Sequence, residues 1–447
     1  MEANLLLMSK NDILDGLKEG KLSISVHGFG YVGASISSAF LRKGCHVIAQ
    51  DIKQDLVQEI NSGTWNFKDD KEVYDTIKEA VFEKRILATT DYKESVTKTN
   101  FHIVTVPVSI KRDERGEVSV DFTHIVEACK MIGRFMKIGD AVVVETTLPP
   151  GTTEGLLRKI LENESGLAVE KDFALIYSPE RIFVGRAIQD IESNYPKIVA
   201  GYGPMSLDVG EALYSLVAKK GIIRLSSIKA AEAEKVFEGI YRDINIALAN
   251  ELESYCEREG LDFHEIVYAA NSQPYCQIHK PGVGVGGACI PVYPYFLLAK
   301  NGSLKLVQTA RKINEQRPSE IVERSLKRFY KRFGENGKLN VTILGLSFRG
   351  DIADNRFSPT IDLAKIFSER GCNVIVHDPF DYKDTGLPNN VKFTKDLEDA
   401  LKGSNIIVVA ADHSVYKELE ESTFLKLCSD KHLIVDPKNV LKFNKRI

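Results

Sequence analysis

Cys289 closes the run Pro281–Cys289, in which glycine stands at 282, 284, 286 and 287. Glycine lets backbone N–H groups approach a ligand with no side chain in the way. A thiol behind such a loop is placed as a nucleophile toward a bound, phosphorylated molecule. The competing reading of a single cysteine is a small buried apolar side chain, and the local sequence leaves both open.

A second constellation lies near the start. Gly28-Phe29-Gly30-Tyr31-Val32-Gly33 follows the apolar stretch Ser23–His27 and opens a helical one, and Asp51 ends the next apolar stretch. This spacing suits a dinucleotide: glycines for the turn and for approach to the pyrophosphate, a helix N-terminus on the phosphates, a carboxylate on the ribose diol. Asp51 repels a 2′-phosphate, which favours NAD over NADP. Gly28, Gly30, Tyr31, Val32, Gly33 and Asp51 are therefore the expected NAD-binding residues.

Three further groups carry reactive side chains. Glu145–Thr153 begins at the end of the buried strand Ala141–Glu145, and residues at a strand's C-terminal end face the ligand crevice of such a sheet. Thr147 is expected there, while Thr152 and Thr153 are expected to cap a helix. Ser178-Pro179-Glu180-Arg181 follows the apolar strand Phe173–Ile176, and its Glu-Arg pair reads equally as a handler of water or phosphate and as a surface ion pair. Lys235, Gly239 and Arg242 fall at i, i+4 and i+7 on one helix face. That is either a notch for an anion or, as the commoner outcome, a solvated face.

Strand and helix patterns alternate at both ends of the chain, the grammar of a parallel, doubly wound sheet. The expected fold is α/β, with two Rossmann-like doubly wound parallel-sheet domains joined by a long central helix. Ile228–Arg258 contains no proline and one glycine, and about 30 residues at about 1.5 Å each reach about 45 Å, enough to bridge domains or build a dimer interface. The expected divisions are an N-terminal extension (1–20), an NAD-binding domain (21–215), a central helical domain with the cysteine loop (216–333) and a last nucleotide-binding domain (334–447), with a hinge at Asn336-Gly337-Lys338. The 447 residues are 43% hydrophobic and carry a net charge of −3 with both signs mixed, ample for real cores and without a nucleic-acid footprint. Seven scattered cysteines with no CxxC fit a reducing cytoplasm and no metal site. The apolar run Leu5–Met8 is too short for a signal peptide or membrane span.

Together these segments resemble the UDP-glucose/GDP-mannose dehydrogenase family, from about residue 21 to the C-terminus. Gly28–Gly33 resembles its NAD fingerprint, Glu145–Thr153 its Glu-Ser-Thr-x-x-Pro-Gly-Thr-Thr strand end, Ser178–Arg181 its Pro-Glu-Arg motif, Gly286–Cys289 its Gly-Gly-His-Cys motif, and Gly345–Arg349 through Pro359 the start of its UDP-binding domain. Tyr241–Glu251 is similar to the central-helix signature of its N-acetylhexosamine branch. The resemblance implies two successive oxidations at C6 of a nucleotide sugar, from alcohol to acid, with NAD as cofactor. By that resemblance Cys289 is the nucleophile, Lys235 serves oxyanions or proton transfer, and Thr147 and Glu180 position or activate water, with Thr147 also at NAD. Arg181, Ile182, Arg242 and Gly286 line the sugar or diphosphate, Phe348, Arg349 and Lys438 meet it from the last domain, and Arg356 reaches NAD. A cytoplasmic homodimer built through the central helix, acting on UDP-N-acetylmannosamine, is the implied protein. UDP-glucose is the alternative substrate. The rival expectations are a single-step dehydrogenase with no need of Cys289 and a binding protein with an altered site. The chain departs from the family pattern at Gly239 (usually Asn), Tyr293 (usually Asp), Ala288 (often His), Val108 (usually Thr) and Gln273–Cys276 (often carrying Arg), and exchanges Lys for Arg349 and Arg for Lys438.

Overall fold

A computed structural model describes residues 3–65, 70–300, 303–334 and 337–443, in two compact units, Met1–Phe237 and Glu238–Ile447. Asn336 of the expected hinge lies outside the described residues.

The strands of the first unit are β1 (Ile24–His27), β2 (Val47–Gln50), β3 (Ile86–Thr89), β4 (Phe101–Val104), β5 (Ser109–Arg112), β6 (Val118–Asp121), β7 (Ala141–Val144), β8 (Ala174–Tyr177), β9 (Lys197–Gly201) and β10 (Ile222–Arg224). Eight form one sheet in the order β10-β9-β8-β7-β4-β1-β2-β3, and β5 and β6 form a separate antiparallel hairpin. Side chains alternate between its faces: Ala141 and Val143 enter one apolar cluster, Val142 and Val144 the other. Both faces are covered, so every residue of β1, β4, β7 and β8 is buried, and β7 and β8 are apolar throughout. The strand order reverses between β1 and β4, the switch point at which such sheets bind ligands. Thr105, just past β4, donates its hydroxyl to Gly28 O (2.6 Å) and ties the two strand ends together.

The sheet is not parallel throughout. β8 and β9 run antiparallel. The connection between them holds only the short turns Ala187–Gln189 and Asp190–Asn194, too little helix for a crossover. Residues 3–20 are built into the unit: Leu5, Ile13 and Leu17 are buried in its core, Leu5 N–H donates to Gly139 O (2.9 Å), and Ser9 and Asp12 form a capping box on the helix Lys10–Lys18.

In the second unit β11 (Asn340–Leu344), β12 (Asn373–His377), β13 (Lys392–Thr394), β14 (Ile406–Val409) and β15 (Leu433–Val435) make a parallel sheet in the order β13-β12-β11-β14-β15. The 32-residue helix Ile228–Glu259 begins in the first unit and ends in the second. In the second unit it is joined to the helix Lys305–Phe333 by buried ion pairs, among them Arg311–Asp243 (2.7 Å) and Arg317–Glu253 (2.6 Å). No described helix is long and apolar enough to cross a membrane.

Candidate active site

The glycines of the first fingerprint have separate physical reasons. Gly28 holds φ +91°, a conformation L side chains rarely adopt. A Cβ on Gly33 would strike Gly28 O, whereas one on Gly30 would meet nothing within 4 Å. Gly30 is the N-cap of the helix Tyr31–Leu41, so open backbone leads directly to a helix N-terminus. At the end of β2, Asp51 accepts from Phe29 N (2.8 Å) and Lys53 N (3.0 Å), which holds the carboxylate beside the glycine turn. Open backbone, helix N-terminus and carboxylate fit the pyrophosphate and ribose diol of NAD. Val32 lines a cavity with Ile36, Glu145, Glu180, Tyr195 and Lys197. Tyr31 ties the fingerprint to the loop behind Glu180–Arg181: its hydroxyl donates to Phe183 O (3.1 Å) and accepts from Gly185 N (3.1 Å).

The ends of β7, β8 and β9 assemble a buried polar cluster. Glu145 is accepted into the core by two partners: the Tyr214 hydroxyl donates to one oxygen and Lys197 Nζ lies 3.4 Å from the other. The same Nζ reaches Pro179 O (3.3 Å) and stands 4.8 Å from the centre of the Tyr214 ring. Lys197 therefore fixes the residue just before Glu180. Glu180 accepts from Ile182 N. Burial raises its carboxyl above the ordinary range, and the charges of Lys235 and Lys197 oppose that rise. Arg181 is engaged within the unit, donating to Pro196 O and lying 4.9 Å from the Tyr195 ring centre. Thr147 is half-buried just past β7.

Thr152 and Thr153 do not cap the turn that follows. Thr152 donates its hydroxyl to Pro149 O (2.6 Å), and the turn Thr153–Leu157 has no side-chain cap. Its start is held from the long helix instead: the Glu232 carboxylate accepts from Gly151 N and Thr153 N (2.8 Å). Burial pushes the Glu232 carboxyl up to about 7 against those donors. Glu232 is three residues before Lys235, itself 5% exposed. An acid and a base one turn apart on a helix are the signal that sequence reading passed over.

In the second unit the cysteine loop has a different cause from the one its glycines suggest. A Cβ on Gly286 would lie 2.5 Å from Phe348 Cβ and 2.8 Å from Phe357 O, one on Gly287 2.9 Å from the Phe348 ring, and one on Gly284 2.7 Å from Pro359 Cβ. Gly287 N–H donates to Arg356 O (2.8 Å) and Gly282 N–H to Asn250 Oδ1 (2.9 Å). At 284, 286 and 287 the glycines let the loop pack on the segment 348–359, and the N–H groups of Gly282 and Gly287 are spent inside the unit rather than cradling phosphate. Cys289 itself is exposed, whereas Cys45, Cys129, Cys256 and Cys372 are buried, so the reading as a buried apolar side chain is excluded. Lys438 reaches the same loop: its Cε lies 3.4 Å from a Cβ placed on Gly282, and its Nζ 3.4 Å from Asp412 Oδ1. Arg349 is half-buried on the segment that carries Phe348. The Arg356 guanidinium pairs with Asp354 (2.6 Å). Arg242 donates to its own helix at Glu238 O (3.4 Å).

Residues 22–218, 229–316 and 342–443 match, in order, the NAD binding, central and UDP binding domains of the UDP-glucose/GDP-mannose dehydrogenase family. The chain belongs to that family. It is 31% identical to a UDP-N-acetyl-D-mannosamine dehydrogenase of Pyrococcus horikoshii, covering 94% of this chain and 96% of that one. It is 30% identical to a UDP-N-acetyl-D-glucosamine 6-dehydrogenase of Salmonella typhi, covering 94% and 97%. A solved structure of the Pyrococcus horikoshii UDP-D-ManNAc dehydrogenase superposes with a TM-score of 0.85 at 29% identity, over 94% of this chain and 96% of that one. The chain is thus an NAD-dependent oxidoreductase. Within this dehydrogenase, two positions that depart from the family pattern touch each other: the Tyr293 ring fills the space beside Gly239.

Proposed function

We propose that the chain is a UDP-sugar 6-dehydrogenase. It oxidises the C6 alcohol of a UDP-N-acetylhexosamine, foremost UDP-N-acetylmannosamine, to the uronic acid through a thioester on Cys289. The observation that carries this reading is an exposed thiol on a loop packed against Phe348 and approached by Lys438, both of the UDP binding domain. The relatives' substrates support the acetylated sugar.

Gly28–Gly33 and Asp51 would hold NAD, which would supply the hydride acceptor for each of the two oxidations. The chain's own residues do the rest. Lys235 stabilises the C6 oxyanion and passes the hydroxyl proton. The Cys289 thiolate adds to the aldehyde carbon, forming a C–S bond, and the resulting oxyanion takes up a proton. After the second oxidation the adduct is a thioester. Glu180, with Thr147, takes a proton from water as it attacks the thioester carbonyl, the C–S bond breaks, and the thiolate is regenerated beside a carboxylic acid. The sum is one alcohol, two NAD⁺ and one water to one carboxylate, two NADH and three protons. Arg181, Ile182, Arg242, Gly286 and Arg349 are assigned to the sugar and diphosphate, and Arg356 to NAD.

The test is NADH yield per sugar over UDP-N-acetylmannosamine, UDP-N-acetylglucosamine and UDP-glucose. Two NADH per sugar with an acetylated substrate is expected. One NADH per sugar would make the chain a single-step dehydrogenase, and none over the panel a binding protein.

The same reading includes a homodimer through the long helix, in a reducing cytoplasm where the seven free cysteines stay reduced. Phe237, Tyr241, Leu248 and Tyr255 are 58, 54, 45 and 50% exposed. At about 100° per residue they fall within about 40° of each other, a single apolar stripe. Light scattering is expected to give twice the chain mass, falling to the chain mass in Leu248→Asp. A wild-type monomer, or an unchanged mass in the variant, removes the stripe as the interface.

A further inference from the structure

Gly239 stands inside the long helix, where glycine is the poorest residue after proline. Its reason is steric. A Cβ there would stand 2.5 Å from Tyr293 Cδ2, 3.2 Å from Tyr293 Cβ and 3.3 Å from Tyr293 Cγ. The ring therefore sits in the notch that the missing side chain leaves. Tyr293 is 7% exposed and packs at a tilt on Phe296, centroids 5.7 Å apart. Its backbone N–H, with that of Val292, donates to Cys289 O at 3.0 Å. One residue thus does two jobs: its ring is lodged in the long helix, and its amide closes the turn that bears the thiol. The ring cannot leave the notch without pulling on the turn.

We infer that Gly239 and Tyr293 are a matched notch and wedge that seats Cys289 against the long helix, with Tyr293 as a positioning residue for the nucleophile. The inference rests on the reading of Cys289 as nucleophile. It explains why the two positions are altered together. A side chain at 239 collides with the ring, and a small residue at 293 leaves the glycine notch empty in a packed interior.

A double-mutant cycle tests this, with kcat, the KM for NAD and the iodoacetamide alkylation rate of Cys289 as readouts. Gly239→Ala is expected to lower kcat about 100-fold, the scale of a displacement of about 1 Å at a reacting group. The KM for NAD is expected to hold, and the alkylation rate to shift. On a Tyr293→Leu background, the same Gly239→Ala is expected to cost little more, because no ring remains to be displaced. Tyr293→Phe keeps the ring and is expected to rescue most of what Tyr293→Leu loses. Additive losses, or an unchanged alkylation rate in Gly239→Ala, would overturn the proposal. So would failure of Tyr293→Phe to rescue, since the hydroxyl and not the wedge would then be at work. If Gly239→Ala does not fold, Tyr293→Leu alone decides: unchanged kcat and alkylation overturn the wedge. Cys289→Ser is run alongside. Full NADH yield in that variant would remove the nucleophile reading, while coupled alkylation rates would still report the notch and wedge.

Discussion

Cys289→Ala lowers steady-state NADH production about 10⁴-fold or more, while NAD binding and the thermal unfolding midpoint stay at wild-type values. The magnitude follows from removing a nucleophile whose partners act as a unit with it. The sparing of the fold follows from the side chain's exposure: truncation opens no cavity. The loop does not depend on the thiol either. It is held by Asn250 and Arg317 at Gly282 (2.9 and 3.0 Å) and by the packing of Gly286 and Gly287 on Phe348. Cys289→Ser separates the steps. A serine hydroxyl is a far weaker nucleophile near neutral pH, so the first oxidation can proceed while the covalent one stalls. Rapid-quench measurement is expected to show at most one NADH per active site. Sustained turnover at two NADH per sugar in either variant would show that the reaction runs without a thiol adduct.

Much of this architecture is legible in the sequence because local rules and global fold agree there. The turn Gly28–Gly33 is legible because a positive φ at Gly28, a forbidden Cβ at Gly33 and an open approach at Gly30 each suit glycine at a set spacing. The long helix and the parallel strands announce themselves by period and by apolar runs. What was hidden depends on contacts distant in sequence. The antiparallel β9 follows from a connection too short for a crossover helix, and strand composition carries no sign of direction. Thr152 and Thr153 look like caps, yet the donors they would satisfy are taken by Glu232, about eighty residues on. The glycines before Cys289 look like a phosphate cradle. Their neighbours Phe348, Phe357 and Pro359 belong to a segment about sixty residues away, so a packing requirement imitates a binding motif. Gly239 and Tyr293 stand far apart in the sequence, and only the fold shows the Tyr293 ring filling the space beside the glycine.

Arg317→Met is the substitution expected to cost the second unit most. Arg317 is fully buried, and its guanidinium donates to Gly282 O (3.0 Å), Ser254 Oγ (2.7 Å), Glu320 Oε2 (3.0 Å) and Glu253 Oε2 (2.6 Å). Methionine fills most of the volume but leaves Gly282 O and Ser254 Oγ without that donor and Glu253 with Arg324 (2.9 Å) as its remaining cation. Removing one partner of a buried ion pair costs about 3–5 kcal/mol, a large share of the roughly 5–15 kcal/mol that holds a domain folded. Burial opposes ionisation of Glu253, yet Arg324 and Arg317 hold its carboxyl below the ordinary range. A depressed carboxyl contributes stability above its unfolded pKa of about 4.3, and that contribution is lost as pH falls through the lower folded value. The deficit of Arg317→Met is therefore expected to be full near pH 7 and to shrink on acidification. Arg324→Met, which removes a side chain 17% exposed at the edge of the same network, is expected to cost less. Arg317→Lys keeps the charge without the planar fork and is expected to fall between wild type and Arg317→Met. Urea denaturation at pH 7 and at about pH 3, below the unfolded carboxyl pKa of about 4.3, measures all three. A loss under about 0.5 kcal/mol for Arg317→Met, the range of an ordinary surface change, would mean that the network holds neither the two helices nor the start of the cysteine loop.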